Sequence, residues 1–189
     1  MEITSVEIDF DLHDILDGVL HFKNGLLTDI QADAWKKSLS QITCIIENCF
    51  KNCLKVRPDD PDGCRPVFAN PGTDQQTFEL QLYKTNGTYD GLSVAFSVQY
   101  KNEKYHLYCT EDLKLYFTKG DCPSSIAGNR SDIIFFQKEF SDGDNCFKFR
   151  SSLHADYYLA VSDEGGKEIL ILKKSCDKLD ETKKFNIKE

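Results

Sequence analysis

The stretch FELQLYKTNGTYDGLSVAFSVQY, residues 78–100, gives the clearest indication of the fold class. Apolar and polar side chains alternate on both sides of its centre, over residues 78–82 and again over residues 92–100. A period of two is typical of strands that turn one face to a core, and the central Asn-Gly and Asp-Gly dipeptides favour a tight turn. The stretch therefore predicts two antiparallel β-strands joined by a turn.

The same pattern continues along the chain on both sides of this stretch. From residue 39 onward, short alternating segments are separated by turn residues about every 8 to 12 positions, which predicts an all-β protein of about twelve strands. The segment SDIIFFQKEF, residues 131–140, predicts a strand that is buried on both faces. The segment DEGGK, residues 163–167, predicts a hairpin turn.

These strand patterns fall into three blocks, residues 34–86, 87–130 and 131–189. Each block carries about three or four of them, which favours a β-trefoil, a six-stranded barrel capped by three hairpins. Periodicity alone also allows a β-sandwich, which has the same alternation and the same spacing of turns.

Charge is distributed unevenly along the chain. Residues 1–33 hold eight acidic side chains against Lys23 alone, a charge of −7, whereas the whole chain carries −8 and the rest of it therefore about −1. We interpret residues 1–33 as an acidic propeptide and residues 34–189 as the folded domain. In the propeptide, alternating apolar residues at 6–10 and the segment GVLHF after an Asp-Gly dipeptide predict a hairpin. Neither part clusters lysine and arginine, which speaks against a nucleic-acid partner.

Composition also bounds the compartment and the chemistry. No apolar run approaches the roughly 18 residues of a membrane-spanning helix and no signal peptide is recognisable, so we expect a cytosolic protein without membrane insertion. Its eight cysteines are then expected to be free thiols. His106 and Cys109 fall on opposite faces of a predicted strand, so they do not form a nucleophile pair. The first four cysteines lack the paired C-x2-C spacing of a zinc site, so the sequence predicts no metal site. It also contains no recognisable catalytic or cofactor-binding motif, so we predict no cofactor and no enzymatic activity.

The C-terminal strands match a family signature. The matching aromatic, serine, aliphatic and small residues are Phe149, Ser151, Ser152, Tyr158, Leu159 and Ala160. Ile169 falls at the expected distance beyond them, although Ala155 stands where the family usually has proline and Val161 where it often has threonine. The segments SDIIFFQ, residues 131–137, and LILKK, residues 170–174, are the most specific matches. On these residues the chain resembles the interleukin-1 cytokine family.

The resemblance extends from about Thr77 to the end of the chain and implies a β-trefoil cytokine that is made as an inactive cytoplasmic precursor. It also implies activation by an inflammatory caspase, leaderless release to the cell exterior, and binding of the monomer to two immunoglobulin-domain receptor chains. The alternative is a β-trefoil binding module of another kind, a protease inhibitor or a lectin. Trp35 is the only tryptophan, which speaks against a lectin of the ricin type.

The resemblance directs attention to the aspartates at the end of the acidic segment, because caspases cut after aspartate. The sequence IQAD before a small residue fits such a site best, so we predict cleavage between Asp33 and Ala34. The bond between Asp29 and Ile30 is the alternative.

Three residues are candidates for receptor contacts. Lys36 and Lys37 lie beside the new terminus that a cut after Asp33 would create, and they could meet an acidic patch of the receptor. Asp132, which opens the predicted DIIFFQ strand, is a candidate by resemblance. We also hypothesise that the propeptide covers a basic receptor-facing surface until it is removed.

Overall fold

The computed structural model describes residues 11–16, 19–23, 33–59, 63–72, 75–85, 87–141, 146–176 and 178–189. The chain divides into two compact units, Met1–Gln31 and Ala32–Glu189. The first unit contains strands β1 (Asp11–Leu16) and β2 (Val19–Lys23), which pair antiparallel and flank an Asp-Gly dipeptide in the sequence. The GVLHF segment thus lies in a hairpin, but its partner strand is Asp11–Leu16. The apolar alternation at residues 6–10, which the prediction combined with it, lies outside the described residues.

The secondary structure described in the second unit is almost all β-strand. Their bounds are β3 Asp33–Asn48, β4 Cys53–Lys55, β5 Val67–Ala69, β6 Phe78–Thr85, β7 Leu92–Tyr100, β8 Glu103–Cys109, β9 Leu115–Lys119, β10 Ser125–Ala127, β11 Phe135–Glu139, β12 Cys146–Ser151, β13 Tyr157–Glu164, β14 Lys167–Lys174 and β15 Phe185–Lys188. One 3-10 turn, Glu181–Lys183, precedes the last strand.

Six of these strands close into a barrel. Each pairs antiparallel with the next around the ring β3, β6, β7, β11, β12, β15, and β15 returns to β3. The hairpins β4–β5, β8–β9 and β13–β14 lie between successive barrel strands. A closed ring with three hairpins is the β-trefoil, so the predicted fold class is confirmed and the sandwich is excluded.

The repeats differ from the predicted blocks at one boundary. In each repeat the first strand pairs with the last, as β3 does with β6, β7 with β11, and β12 with β15. The SDIIFFQ segment therefore belongs to the end of the second repeat. The predicted boundary at residue 130, which assigned this segment to the third repeat, is wrong. The DEGGK turn is confirmed, since Gly165 and Gly166 join β13 to β14 with φ of 64° and 84°, values that favour glycine.

The buried side chains form two clusters. The larger fills the barrel and includes Phe78, Phe96, Phe135 and Phe149. The smaller surrounds Trp35 and includes Ala95, Cys122, Ile134 and Phe136. Phe135 faces the larger cluster whereas Ile134 and Phe136 face the smaller one, which confirms that this segment is buried on both faces. The smaller cluster fixes the first residues of β3, where the candidate site lies.

Candidate functional site

The first residues of β3 lie between two other strands. Asp33 is opposite Ala127 of β10, and Trp35 is opposite Ile126 of β10 on one side and Thr85 of β6 on the other. The sequence predicted strand structure only from residue 39, so this paired extension is a finding of the structure. It means that the Asp33–Ala34 bond belongs to the first residues of a paired strand. The alternative bond, between Asp29 and Ile30, lies outside the described residues.

Trp35 anchors this end of the strand. Its side chain is fully buried, and its indole N–H donates a hydrogen bond of 3.2 Å to Ser93 Oγ on β7. Its ring stacks on Tyr89 with 5.3 Å between centroids, and Tyr89 stacks on Phe136 at 4.9 Å. The guanidinium of Arg150 lies over the ring of Phe136, 4.7 Å from its centroid. Trp35, Tyr89, Phe136 and Arg150 form what we call the aromatic column.

The two lysines after Trp35 have different surroundings. Lys37 donates from Nζ to the carbonyl oxygen of Cys122 at 3.3 Å, and its backbone N–H donates to the carbonyl of Ser124 at 2.8 Å. Lys36 is exposed and directly opposite Lys84, which is exposed on β6. Neither Lys36 nor Lys84 forms an ion pair with any carboxylate that the structure describes. Like charges directly opposite on paired strands repel, so this pair favours an anionic partner.

A bulge after the lysines presents an apolar side chain to solvent. The register of β3 against β6 shifts between Lys37 and Gln41. The buried amide of Gln81 donates to the carbonyl oxygens of Ser38 at 2.7 Å and Ser40 at 3.2 Å, and these hydrogen bonds fix the backbone of the bulge. Leu39, between these serines, has a relative exposure of 105%. Leu39 was not among the residues predicted from the sequence, although a single leucine between two serines, out of phase with the alternation that follows, indicates an exposed apolar side chain.

Asp132 occupies a different place. It is exposed and lies three residues before β11, so it does not open that strand as predicted. Its carbonyl oxygen accepts a hydrogen bond from the N–H of Cys109 at 2.8 Å. Asp132 lines a shallow cleft of about 410 Å³ together with Ile126 and Arg130. No hydrogen bond or ion pair between described residues joins Asp132 to Lys36 or Lys37, although Ile126 in the same cleft is paired with Trp35.

The Cys109 thiol is suited to packing and not to nucleophilic chemistry. All eight cysteines are free thiols. Burial raises the pKa of the Cys109 thiol to about 11, and the hydrogen-bonding contact of its Sγ, 3.6 Å away, is Ser151 Oγ. His106 instead places Nδ1 3.0 Å from the carbonyl oxygen of Gly120. A protonated thiol is a poor nucleophile, and the histidine is directed elsewhere, so His106 and Cys109 do not form a catalytic pair.

In the part of the chain that the structure describes, no group of three or more histidine, cysteine, aspartate or glutamate side chains is placed to hold a metal ion. No helix in the same residues is long and apolar enough to cross a membrane.

Comparison with known proteins gives one consistent result. The family model "Interleukin-1 / 18" matches residues 70–187. Interleukin-18 of Gallus gallus is 33% identical over 170 residues, which cover 83% of this chain and 84% of that protein. Interleukin-18 of Homo sapiens is 28% identical over 187 residues, which cover 95% of this chain and 93% of the human protein.

Solved structures agree on the architecture. The crystal structure of chicken interleukin 1 beta superposes with a TM-score of 0.63 and 12% sequence identity, covering 82% of this chain and 100% of that one. A mutant of the same chicken cytokine superposes with the same TM-score of 0.63 at 13% identity. At such low identity the superposition shows the fold alone.

Proposed function

This chain belongs to the interleukin-1/18 family, and from that premise we propose that it is an interleukin-18-like precursor of a proinflammatory cytokine. Its family makes it a non-enzymatic signalling protein. Two finer steps form the proposal. An inflammatory caspase removes the acidic leader after Asp33, and the released domain then binds two immunoglobulin-domain receptor chains outside the cell.

Cleavage after Asp33 is supported by where the chain divides. The boundary between the compact units falls between Gln31 and Ala32, two residues before the proposed bond. A cut there removes a segment of charge −7 and leaves the trefoil with all of its barrel strands. Asp29 stays the alternative position.

The observation that carries the receptor-binding proposal is the unneutralised pair Lys36 and Lys84 beside the exposed Leu39. A pair of cations favours an acidic surface, and burial of a leucine in an interface is worth about 1.5–3 kcal/mol. An exposed apolar side chain surrounded by polar residues can fill an apolar pocket of a partner, with the polar residues around it as the rim of the contact. Lys37 supports the same surface through its backbone and side-chain contacts with residues 122 and 124. Asp132, exposed in the cleft that it lines with Ile126 and Arg130, is proposed as a further receptor contact.

Incubation of the full-length protein with an inflammatory caspase tests the processing step. N-terminal sequencing of the product should give Ala34, and Asp33→Asn should abolish that product, whereas Asp29→Asn should leave it unchanged. Both the uncut and the cut protein are then applied to cells that carry the receptor chains. Signalling that appears only after the cut supports a cytokine precursor. Equal signalling from both forms, or none from either, contradicts it and returns the trefoil to the inhibitor or lectin alternative.

A further inference from the structure

The bond proposed for cleavage is connected to a buried side chain only two residues away. Proteases bind their substrates as extended chains and act most readily at exposed loop tips. Here the chain from Asp33 is already paired with β10, and from Trp35 it is paired on both sides. The residues after the bond must therefore leave β6 and β10 before a protease can bind them.

Leaving the sheet requires Trp35 to leave its site. The indole is fully buried, donates to Ser93 Oγ at 3.2 Å, and stacks on Tyr89 at a centroid distance of 5.3 Å. The hydrogen bond from the Lys37 N–H to the carbonyl oxygen of Ser124 holds the next residues of the strand. Opening at the bond and withdrawal of Trp35 are thus one event.

We propose that the burial of Trp35 in the aromatic column controls the rate of cleavage after Asp33. This inference rests on the proposed cleavage at that bond and adds its regulation. When opening and closing are fast relative to cutting, the observed rate is the fraction of open molecules multiplied by the rate at which the open chain is cut. Any contact that stabilises Trp35 in its buried position lowers the fraction of open molecules and slows cleavage.

The buried position of Trp35 also orders the N-terminus of the cleaved product. After cleavage, Ala34 and Trp35 are the first two residues of the domain, and Trp35 can return to its position between β6 and β10. The new terminus is then held one residue before the anchor and two residues before Lys36. Burial of Trp35 therefore slows the cut and, once the cut is made, positions Lys36 of the receptor-facing lysine pair.

The test measures cutting of the full-length protein by an inflammatory caspase, beside a synthetic peptide of residues 27–40. Tyr89→Ala removes the ring that stacks on both Trp35 and Phe136 but leaves residues 27–40 unchanged, so the intrinsic susceptibility of the bond is constant. We expect wild-type protein to be cut at least about tenfold more slowly than the peptide. Tyr89→Ala should raise the rate for the protein by about tenfold, and Ser93→Ala should raise it by a smaller factor.

A control separates local opening from global destabilisation. Val161→Ala weakens the main barrel cluster without touching the column, and it should leave the rate of cutting unchanged. Hydrogen exchange provides a readout that needs no protease, since the Lys37 amide should exchange faster in Tyr89→Ala than in Val161→Ala.

The outcomes distinguish the inference from the proposal beneath it. Cutting of wild type, Tyr89→Ala and peptide after Asp33 at one common rate overturns the role of Trp35 and leaves the processing site standing. Acceleration by Val161→Ala equal to that of Tyr89→Ala also overturns it, because cutting would then follow global unfolding. A peptide that is not cut after Asp33 overturns the processing site and the inference together.

Discussion

Replacing Lys84 with glutamate should stabilise the protein while weakening its receptor binding. Lys36 and Lys84 are directly opposite on β3 and β6, and neither pairs with a described carboxylate. An opposed pair of charges contributes about 0.2–1 kcal/mol, unfavourable for like charges and favourable for unlike ones. Lys84→Glu reverses the sign, so the two contributions add to about 1 kcal/mol of extra stability. In a domain of this size that raises Tm by roughly 2–4 °C.

Urea unfolding at low and high salt measures this gain. In 1 M salt the screening length falls to about 3 Å, so the advantage of Lys84→Glu should largely disappear. The double variant Lys36→Glu/Lys84→Glu restores repulsion, now between two acids, and should lose the gain. Lys119→Glu is the matched control, because Lys119 forms an ion pair with Glu103 at 3.1 Å and reversal there should lower stability.

Receptor binding should change in the opposite direction. If the lysine pair faces an acidic patch, Lys84→Glu should lower the on-rate about tenfold at low salt, with a smaller effect at high salt. A Lys84→Glu protein that gains no stability at low salt, or keeps its whole gain in 1 M salt, would refute the repulsion argued from the register. Unchanged binding alongside the expected gain would refute the receptor contact alone.

Three further predictions concern other residues. Leu39→Asp should weaken receptor binding by at least about tenfold in surface plasmon resonance while urea unfolding changes by less than about 0.5 kcal/mol, because the side chain makes no packing contact to lose. Burial alone would raise the pKa of Asp180, but hydrogen bonds, first among them the one from Thr182, outweigh burial and lower that pKa to about 2. Its depressed folded-state pKa gives stability of about 2 kcal/mol that is present above pH 4 and is lost towards pH 2, so the stability difference between wild type and Asp180→Asn should shrink over that range. Cys176 is exposed and Cys109 buried, so iodoacetamide should label Cys176 in the native protein and Cys109 only after unfolding, as mass spectrometry would show.

Local patterns were sufficient to predict the all-β class because most of the strands are short and are separated by turn residues. The choice of a trefoil over a sandwich needed the family resemblance as well. The alternation over residues 78–82 and 92–100 corresponds to β6 and β7, whose inward residues fill the barrel. The turn at Gly165 was predictable for the same reason, since a positive φ favours a particular residue type at a particular position. Signals of this kind are contained within a few consecutive residues.

The site depends on contacts that are distant in the sequence, and for that reason the sequence indicated only part of it. The segment WKKSLS contains one apolar residue before its bulge, so no alternation marks residues 33–38 as a strand. The strand forms because Trp35 enters a cluster built by β7 and residues 122–136. The opposition of Lys36 and Lys84 likewise arises from a register that no local pattern encodes.

The cut after Asp33 would change the charge beside Lys36 without any rearrangement of the trefoil. Three residues of extended strand span about 10 Å, roughly one screening length at physiological salt. Cleavage separates the negative charge of Asp33 from the domain and creates an α-amino group on Ala34, which is largely protonated at pH 7 because its ordinary pKa is about 7.7–8.0. The local charge therefore rises by about two units next to the proposed receptor surface. The on-rate of the cut protein for its receptor should accordingly fall more steeply with salt than that of the uncut protein, and equal slopes would show that processing acts by some route other than this charge.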